Sequence, residues 1–500
     1  MMPNLKLPSA LFSLIIFLLI CPPKVSANFD FNANCLRAYQ QIFELKLPAA
    51  RQLIAAEKKI HPNNSIIPLL ENYVDYLYLL TTENKAEFER LEEKKDDRID
   101  QISSDDKSSY YYLYAQAQIN LQWALIRGRY GSYLTAAREI NRANAQLTEN
   151  SQKFPGFHLN SMGLGLINAV LGALPDGFLK STLSTFGLKG NLQSGLNMLD
   201  KLAENLPEST FEPFYEEAVF YYAYVLSDVA HSSQAYAKTM KYTTRISDSS
   251  LMKAYLRAYV CSRNGHTNEA ISILAERPSG PAYQAWPYLE YLMGIAKLNK
   301  LDFTAENHFE RFLQTNKGVN YIKDSYLHLA WINLLKGTDS GYSAMSNRVK
   351  NNGYTYHDRD KQAINEVAAP LPNKDLLKAR LLFDGGYYSR AADLLSDFKA
   401  EDFRTVKDRA EFHYRYGRVN DALGKDDAAL ANYQNAINVG RGLKYYYAAN
   451  AALQMGKIYE MKRNVGKARE SFNLAINMGN EEQKNSIENE AKQGLRRLSK

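Results

Sequence analysis

Three basic residues, Arg380, Arg418 and Lys457, recur at a near-constant interval, and one helical turn before each stands a large side chain, Leu376, Tyr414 and Leu453. If the stretches that carry them are helices of one repeating unit, residues four apart share a face. The six side chains then form a basic row beside an apolar row. Such a pair of rows suits an extended or helical peptide, possessing a carboxylate or acidic side chains, because cationic groups make charge-assisted hydrogen bonds to carboxylates while the apolar row takes the body of the ligand. Basic residues are common on helix surfaces, and plain surface charge is the competing reading.

The remaining sequence offers little chemistry. It contains no His-Glu-x-x-His, no paired Cys-x-x-Cys, no Gly-x-Ser-x-Gly elbow and no Walker-type phosphate loop. Gly163-x-Gly165 lacks a third glycine and a preceding strand, so it reads as close helix packing. The eight histidines never stand at ligand spacing from one another or from a cysteine. Carboxylates are plentiful, but nothing marks a catalytic pair among them. The expectation is a protein that is not an enzyme and that uses no metal and no cofactor.

The elements that must carry the two rows are legible in "LQMGKIYEMKRNVGKARESFNLAINMG", Leu453 to Gly479. From Gly456 the offsets are three residues to Tyr459, nine more to Ala468, four to Phe472 and three to Ala475. Small residues at Gly456 and Ala468 let two antiparallel helices approach, and the aromatic rings fill the space beside that contact. Asn464 and Gly466 punctuate the turn between them, and Ala475 lets the next hairpin come close. This resembles the tetratricopeptide repeat, TPR, with its pattern W-x2-L-G-x2-Y-x8-A-x3-F-x2-A-x4-P; Ala452 takes the tryptophan place and Asn480 the proline place.

The offsets recur upstream. Gly417, Ala429, Tyr433 and Ala436 repeat them one period earlier, with Asn420 for the tyrosine, and Ala379, Leu382, Ala391, Leu395 and Phe398 repeat them one period before that. Ala258, Cys261, Ala270 and Leu274 fit with Gly265 at the turn, and Gly294 to Phe312 fits with a turn one residue short. In stacked hairpins the residue after the small residue of the first helix points to the concave side, which places Arg380, Arg418 and Lys457 there. The predicted fold is all-α, a superhelical solenoid of stacked antiparallel helix hairpins. Sparse proline, the absence of alternating β-type runs and the 35 tyrosines agree with it.

Four segments are expected: a signal peptide over 1–27, irregular helical hairpins over 28–154, a central helical region over 155–250 and TPR-like repeats over 251–500. "MMPNLKLPSALFSLIIFLLICPPKVSA" has an apolar core and a small-residue end, which predicts export with cleavage after Ala27. A lipoprotein signal at Cys21 is disfavoured by Ile20, and an uncleaved anchor is the remaining alternative. Without Lys6 and Lys24 the formal charge falls from +7 to +5, too mild to imply nucleic acid. Cys35 and Cys261 read as unpaired and buried, and "ENKAEFERLEEKKDDR" as a solvated helix face.

The central block "FHLNSMGLGLINAVLGALPDGFLKSTLSTFGLKGNLQSGLNMLDKL" has a glycine-rich apolar helix, a break at Leu174-Pro175, another helix, then Phe186-Gly187 and Lys189-Gly190 before an amphipathic helix. It is similar to the central block of a eukaryotic TPR family that includes a mitochondrial outer-membrane-associated member. The likeness implies one continuous superhelix with a distinctive central hairpin. Met162 to Leu174 is too short to span a bilayer, and core packing is preferred over membrane contact.

The function expected from the sequence is an exported, non-catalytic scaffold that holds a protein or peptide partner in its concave groove, in the periplasm or envelope of a Gram-negative-type bacterium. The alternative is a structural or membrane-peripheral envelope protein that works through the central apolar hairpin. Mass spectrometry of the mature protein is expected to find Asn28 at the N-terminus and no lipid on Cys21; an intact Met1 would refute cleavage.

Overall fold

The computed structural model describes residues 29–499, apart from 175–179, 181–182 and 185–186. The expected signal segment, its cleavage site and part of the central block's middle lie outside these residues. Within them the secondary structure is helical throughout, with no strand. The N-terminal part comprises α1 (Ala33–Phe43), α2 (Leu47–Ile60), α3 (Ile66–Thr82), α4 (Lys85–Glu92), α5 (Lys94–Ser103), α6 (Tyr110–Arg129) and α7 (Tyr133–Lys153). The middle continues with α8 (Asn160–Ala173), α9 (Leu192–Asn205), α10 (Tyr215–Tyr224), α11 (Ala235–Thr243), α12 (Leu251–Arg263), α13 (Thr267–Glu276), α14 (Tyr288–Asn299) and α15 (Ala305–Thr315). The chain ends with α16 (Ile322–Leu335), α17 (Asp339–Asn351), α18 (Asp358–Ala368), α19 (Lys374–Asp384), α20 (Tyr388–Ser396), α21 (Val406–Ala422), α22 (Asp426–Gly440), α23 (Tyr447–Met461), α24 (Val465–Ile476) and α25 (Lys484–Arg497). Successive helices pair as hairpins, among them α6 with α7, α8 with α9, α21 with α22 and α23 with α24, and each pair stacks on the next. This is a TPR-like solenoid, all-α and built from stacked antiparallel hairpins.

Local chemistry sets the helix ends. Asn32, Asn84, Ser109, Asn191, Ser250 and Asn373 accept backbone N–H bonds in the first turns of α1, α4, α6, α9, α12 and α19. Gly265, Gly386 and Gly424 hold left-handed backbone at their hairpin turns. In the last hairpin the left-handed residue is Arg463, at φ 57°, while Asn464 caps α24. Gly466 lies inside the first turn of α24 and does not make the turn expected of it.

The small-residue contacts differ from expectation in an instructive way. What a side chain at Gly456 would strike is the Phe472 ring, at 2.5 Å, and at Gly417 the Tyr433 ring, at 2.6 Å. Gly294 faces the Phe309 ring in the same manner, at 2.9 Å. The glycine of the first helix is thus a seat for the aromatic ring of the second, while Ala429 and Ala468 are fully buried beside it. Gly494 of α25 approaches the other edge of Phe472, at 2.6 Å, so the ring is held from both sides.

The charge run also departs from expectation. Glu93, Lys94, Asp96 and Asp97 face solvent, but Lys95 and Arg98 are buried. Lys95 pairs with Glu139 at 2.9 Å and Arg98 with Asp75 at 2.5 Å, so one face of α5 docks on its neighbours through ion pairs. Cys35 and Cys261 are free and buried. In the central block Gly165, Gly172, Gly190 and Gly195 bring α8 and α9 so close that a side chain at Gly195 would lie 2.5 Å from the Gly165 carbonyl oxygen. Met162, Leu166, Ile167 and Leu171 of α8 are buried, so much of its apolar surface is used inside the fold. No helix among the described residues is long and apolar enough to cross a membrane.

The first hairpins close back onto the middle of the chain. Glu217 of α10 is fully buried and accepts hydrogen bonds from the hydroxyls of Tyr39 and Tyr73, the latter at 3.0 Å. The Leu251 N–H donates to the Glu44 carbonyl at 3.3 Å and the Gln284 N–H to the Leu45 carbonyl at 2.7 Å. At the far end of α3, Asn320 donates to Glu83 at 3.0 Å, and Gly318 sits where a side chain would meet the Thr82 carbonyl oxygen at 2.5 Å. Beside this last contact a chamber of about 660 Å³ opens inside the superhelix.

Replacing Gly456 by leucine is expected to destabilise the protein by about 1–3 kcal/mol, because Phe472 has no room to retreat and leucine's better helix propensity does not compensate; chemical denaturation measures it. A second expectation concerns pH. Burial raises the Glu217 carboxyl from 4.5 to about 7 against the opposing tyrosine hydrogen bonds. The folded state therefore binds more protons than the unfolded state between those values, and stability falls as pH rises through that window. Glu217→Gln should remove about 3 kcal/mol of this pH dependence, seen as a smaller loss of Tm between pH 5 and pH 8; the burial-raised Glu216 retains its own share.

Candidate functional site

The three basic residues lie on α19, α21 and α23, the first helices of consecutive hairpins. Their surroundings differ. The Arg380 guanidinium stacks over the Trp331 ring, 4.9 Å from its centroid, and donates to Glu366 of α18 at 2.7 Å, with Asp384 one turn away at 4.0 Å. Lys457 meets Glu490 of the C-terminal helix α25 at 2.7 Å. Arg418 stacks over the Phe383 ring, 4.7 Å from the centroid, and donates to the Tyr414 hydroxyl at 3.0 Å. Among the described residues no carboxylate comes within ion-pair distance of Arg418.

The apolar row is not a surface. Leu376, Tyr414 and Leu453 are only 1%, 3% and 1% exposed. A residue four positions back lies one turn lower and is rotated by roughly 40° about the helix axis, which here turns it into the seam between neighbouring hairpins. Tyr414 packs there against Tyr446 and Tyr447, at centroid distances of 5.5 and 5.7 Å, with its hydroxyl turned to Arg418. Leu376 and Leu453 are core residues of the stack, and Tyr414, though buried, keeps an edge in the pocket that Arg418 lines, so the three form no continuous apolar track.

Arg380 and Arg418 line one pocket of about 210 Å³, and Lys457 is not part of its wall. Arg415 joins them, with Tyr446, Asn450 and Gln483 completing much of the remainder. Arg415 donates twice to Glu411, at 2.7 and 2.6 Å, and Glu411 also takes Lys407 at 3.2 Å and the Tyr447 hydroxyl at 2.7 Å. Burial opposes the charge on Glu411, but Arg415 and Lys407 outweigh it and hold the carboxyl down at about 2. The pocket therefore brings together three guanidinium groups: one stapled to Glu411, one to Glu366, and one, Arg418, with donor capacity left over. Its carboxylate neighbour, Asp384, is half-exposed.

Sequence reasoning missed Arg415. Its local signal was present, since Glu411 and Arg415 stand four apart and Arg415 and Arg418 three apart, the spacings of helical neighbours. Tyr446, Asn450 and Gln483 had no such signal, because the next hairpin and the segment before α25 deliver them. Among the described residues no group of three or more histidine, cysteine or acidic side chains could hold a metal ion.

No family model matches the chain, and no curated protein matches it. Among solved structures, the human IFIT1 dimer with PPP-AAAA is similar over 95% of this chain and 96% of that chain, at 13% identity and a TM-score of 0.34. The TPR-like architecture stands on the packing of this chain's own helices.

Proposed function

We propose that the protein is a non-catalytic interaction scaffold that holds an acidic segment of a protein partner at the Arg418 pocket, on the concave side of its C-terminal repeats. The observation that carries this reading is the unequal state of the basic row. Its outer members are answered from within the chain, Arg380 by Glu366 and Lys457 by Glu490, and Arg418 is not. Glu490 is itself a helix-borne carboxylate seated against the row, which is the chemistry proposed for the partner. Arg418 is presented ready for use: stacking on Phe383 and the bond to Tyr414 limit its rotamers, so little ordering entropy is lost on binding. Export to the periplasm or cell envelope, with the segment ending at Ala27 removed, belongs to the same proposal.

Fluorescence anisotropy with a labelled glutamate-rich peptide tests it. Arg418→Ala should cost about 1.5–3 kcal/mol of binding, roughly 10- to 100-fold, with the helical fold retained by circular dichroism and Tm lowered, because the Tyr414 hydroxyl loses its partner. Lys457→Ala should change affinity little, because its ammonium group is already engaged. Affinity should fall with added salt, since partly exposed charges are screened. Peptide affinity unchanged in Arg418→Ala, or an RNA oligonucleotide that binds more tightly and displaces the peptide, would overturn the reading.

A further inference from the structure

The 660 Å³ chamber lies outside the basic row and falls in the size range of small-molecule sites. Its walls are of two kinds. From α7 and α8 it receives Ala136, Ala137, Ile140, Val170 and Leu171, an aliphatic surface. Facing the same space is a ribbon of rings drawn from successive hairpins: Tyr255 packs on Trp286 with centroids 4.3 Å apart, Tyr288 on Tyr321 at 4.9 Å, and Tyr321 on His357 at 4.5 Å. Tyr255 and Tyr288 join the two parts of the ribbon, at 6.2 Å. Exposed Tyr133 and Tyr224 stand among the lining side chains and give access from solvent.

The polar groups in the lining are few and biased. Arg129 is neutralised by Glu83, which also accepts from Asn320. Asp228, on a π-helical turn Val225–Val229 that follows α10, accepts from the Tyr259 hydroxyl, and Arg263 lies 3.8 Å from it. Asp358, at the rim, is exposed and pairs with Lys361 at 2.8 Å. Burial, Arg359 and Arg129 together lower His357 to about 4, so it is neutral at physiological pH. Asn320, a lining side chain more than nine-tenths buried, holds its Oδ1 without a hydrogen-bond partner among the described residues. Each lining carboxylate thus has a basic neighbour, Glu83 in Arg129, Asp228 in Arg263 and Asp358 in Lys361, and what the lining offers a cationic head is its aromatic faces, the Asp228 carboxylate and the acceptor capacity of Asn320.

We propose that this chamber binds an amphiphile with one hydrocarbon chain and an ammonium-bearing head, the chain against α7 and α8 and the head between the tyrosine ribbon and Asp228. Aliphatic side chains supply the hydrophobic contact. Ring faces and a carboxylate attract an ammonium group, whereas a carboxylate or phosphate head would meet Asp228 with like charge.

The test uses the full chain and three probes with the same bromine-bearing alkyl chain, below their micelle concentrations, with trimethylammonium, hydroxyl or carboxylate heads. Bromine in the chain quenches Trp286 fluorescence, and Trp286→Phe identifies that signal. The ammonium probe is expected to quench at least tenfold more tightly than the carboxylate probe and to raise Tm. Asp228→Asn should abolish that preference while leaving the hydroxyl probe unchanged, since asparagine still accepts from Tyr259. Val170→Phe, which fills the aliphatic end, should weaken all three probes. No quenching by any probe, equal affinity for the carboxylate probe, or a preference that survives Asp228→Asn would overturn the proposal. So would displacement of the ammonium probe by a proline-rich peptide, which would make the chamber a peptide site.

Discussion

A single buried carboxylate, Glu217, ties the first hairpin of the chain to its middle. It accepts hydroxyls from Tyr39 of α1 and Tyr73 of α3, residues 178 and 144 positions away. A carboxyl removed from water is tolerable only when hydrogen-bonded or protonated, and both conditions depend on the three helices staying together. A superhelix of hairpins has no intrinsic need to touch itself, because each repeat is satisfied by its neighbours. Here it does touch itself, through Glu217, through the backbone bonds at Glu44 and Leu45, and through Asn320 on Glu83. The chamber opens beside the last of these contacts, with Glu83 and Asn320 in its wall.

The two halves of the chain are held by different chemistry. From α14 onward, three hairpins lock by placing an aromatic ring over a glycine, Phe309 over Gly294, Tyr433 over Gly417 and Phe472 over Gly456, while α19 and α20 pack through Ala379, Leu382, Ala391 and Leu395. The ring buries a large area and the missing side chain lets the helices close on it. The N-terminal half relies more on buried polar pairs, such as Lys95 and Arg127 on Glu139, Arg98 on Asp75, and Asn72 with Gln122 and Trp123. Such pairs require their partners in place, because breaking one strands a buried charge. Ring-in-glycine contacts can be repeated along a stack; specific ion pairs fix one arrangement of irregular hairpins.

Partner availability also shapes the basic row. A guanidinium or ammonium group near the surface gains from any carboxylate within reach, and the chain itself supplies Glu366 and Glu490 at either end. The middle member, Arg418, is held by a ring face and a hydroxyl, which orient it without neutralising it. What distinguishes it from Arg380 and Lys457 is a difference in partners, invisible in the near-constant spacing that the three share.

The sequence by itself determined what depends on short separations. The paired helices of the C-terminal half, their near-constant period, the small residues at the helix contacts and the use of Gly163-x-Gly165 for close helix packing were legible, because helical spacing and glycine's missing side chain act over short separations. Even there the glycine's partner was read as Ala468 or Ala429 when it is the ring of Phe472 or Tyr433, since alanine and aromatic lie one turn apart on the same face. Tertiary structure alone decided the rest: the burial of Lys95 and Arg98 within a run that looks solvated, the loss of Leu376 and Leu453, and of all but an edge of Tyr414, into the seams, the arrival of Arg415 and Tyr446 beside Arg418, and the closure at Glu217. Each turns on which distant surface is brought alongside. A charged or apolar side chain on a helix has the same local pattern whether the next hairpin covers it or leaves it to water, and only the superhelical path of the whole chain makes that choice.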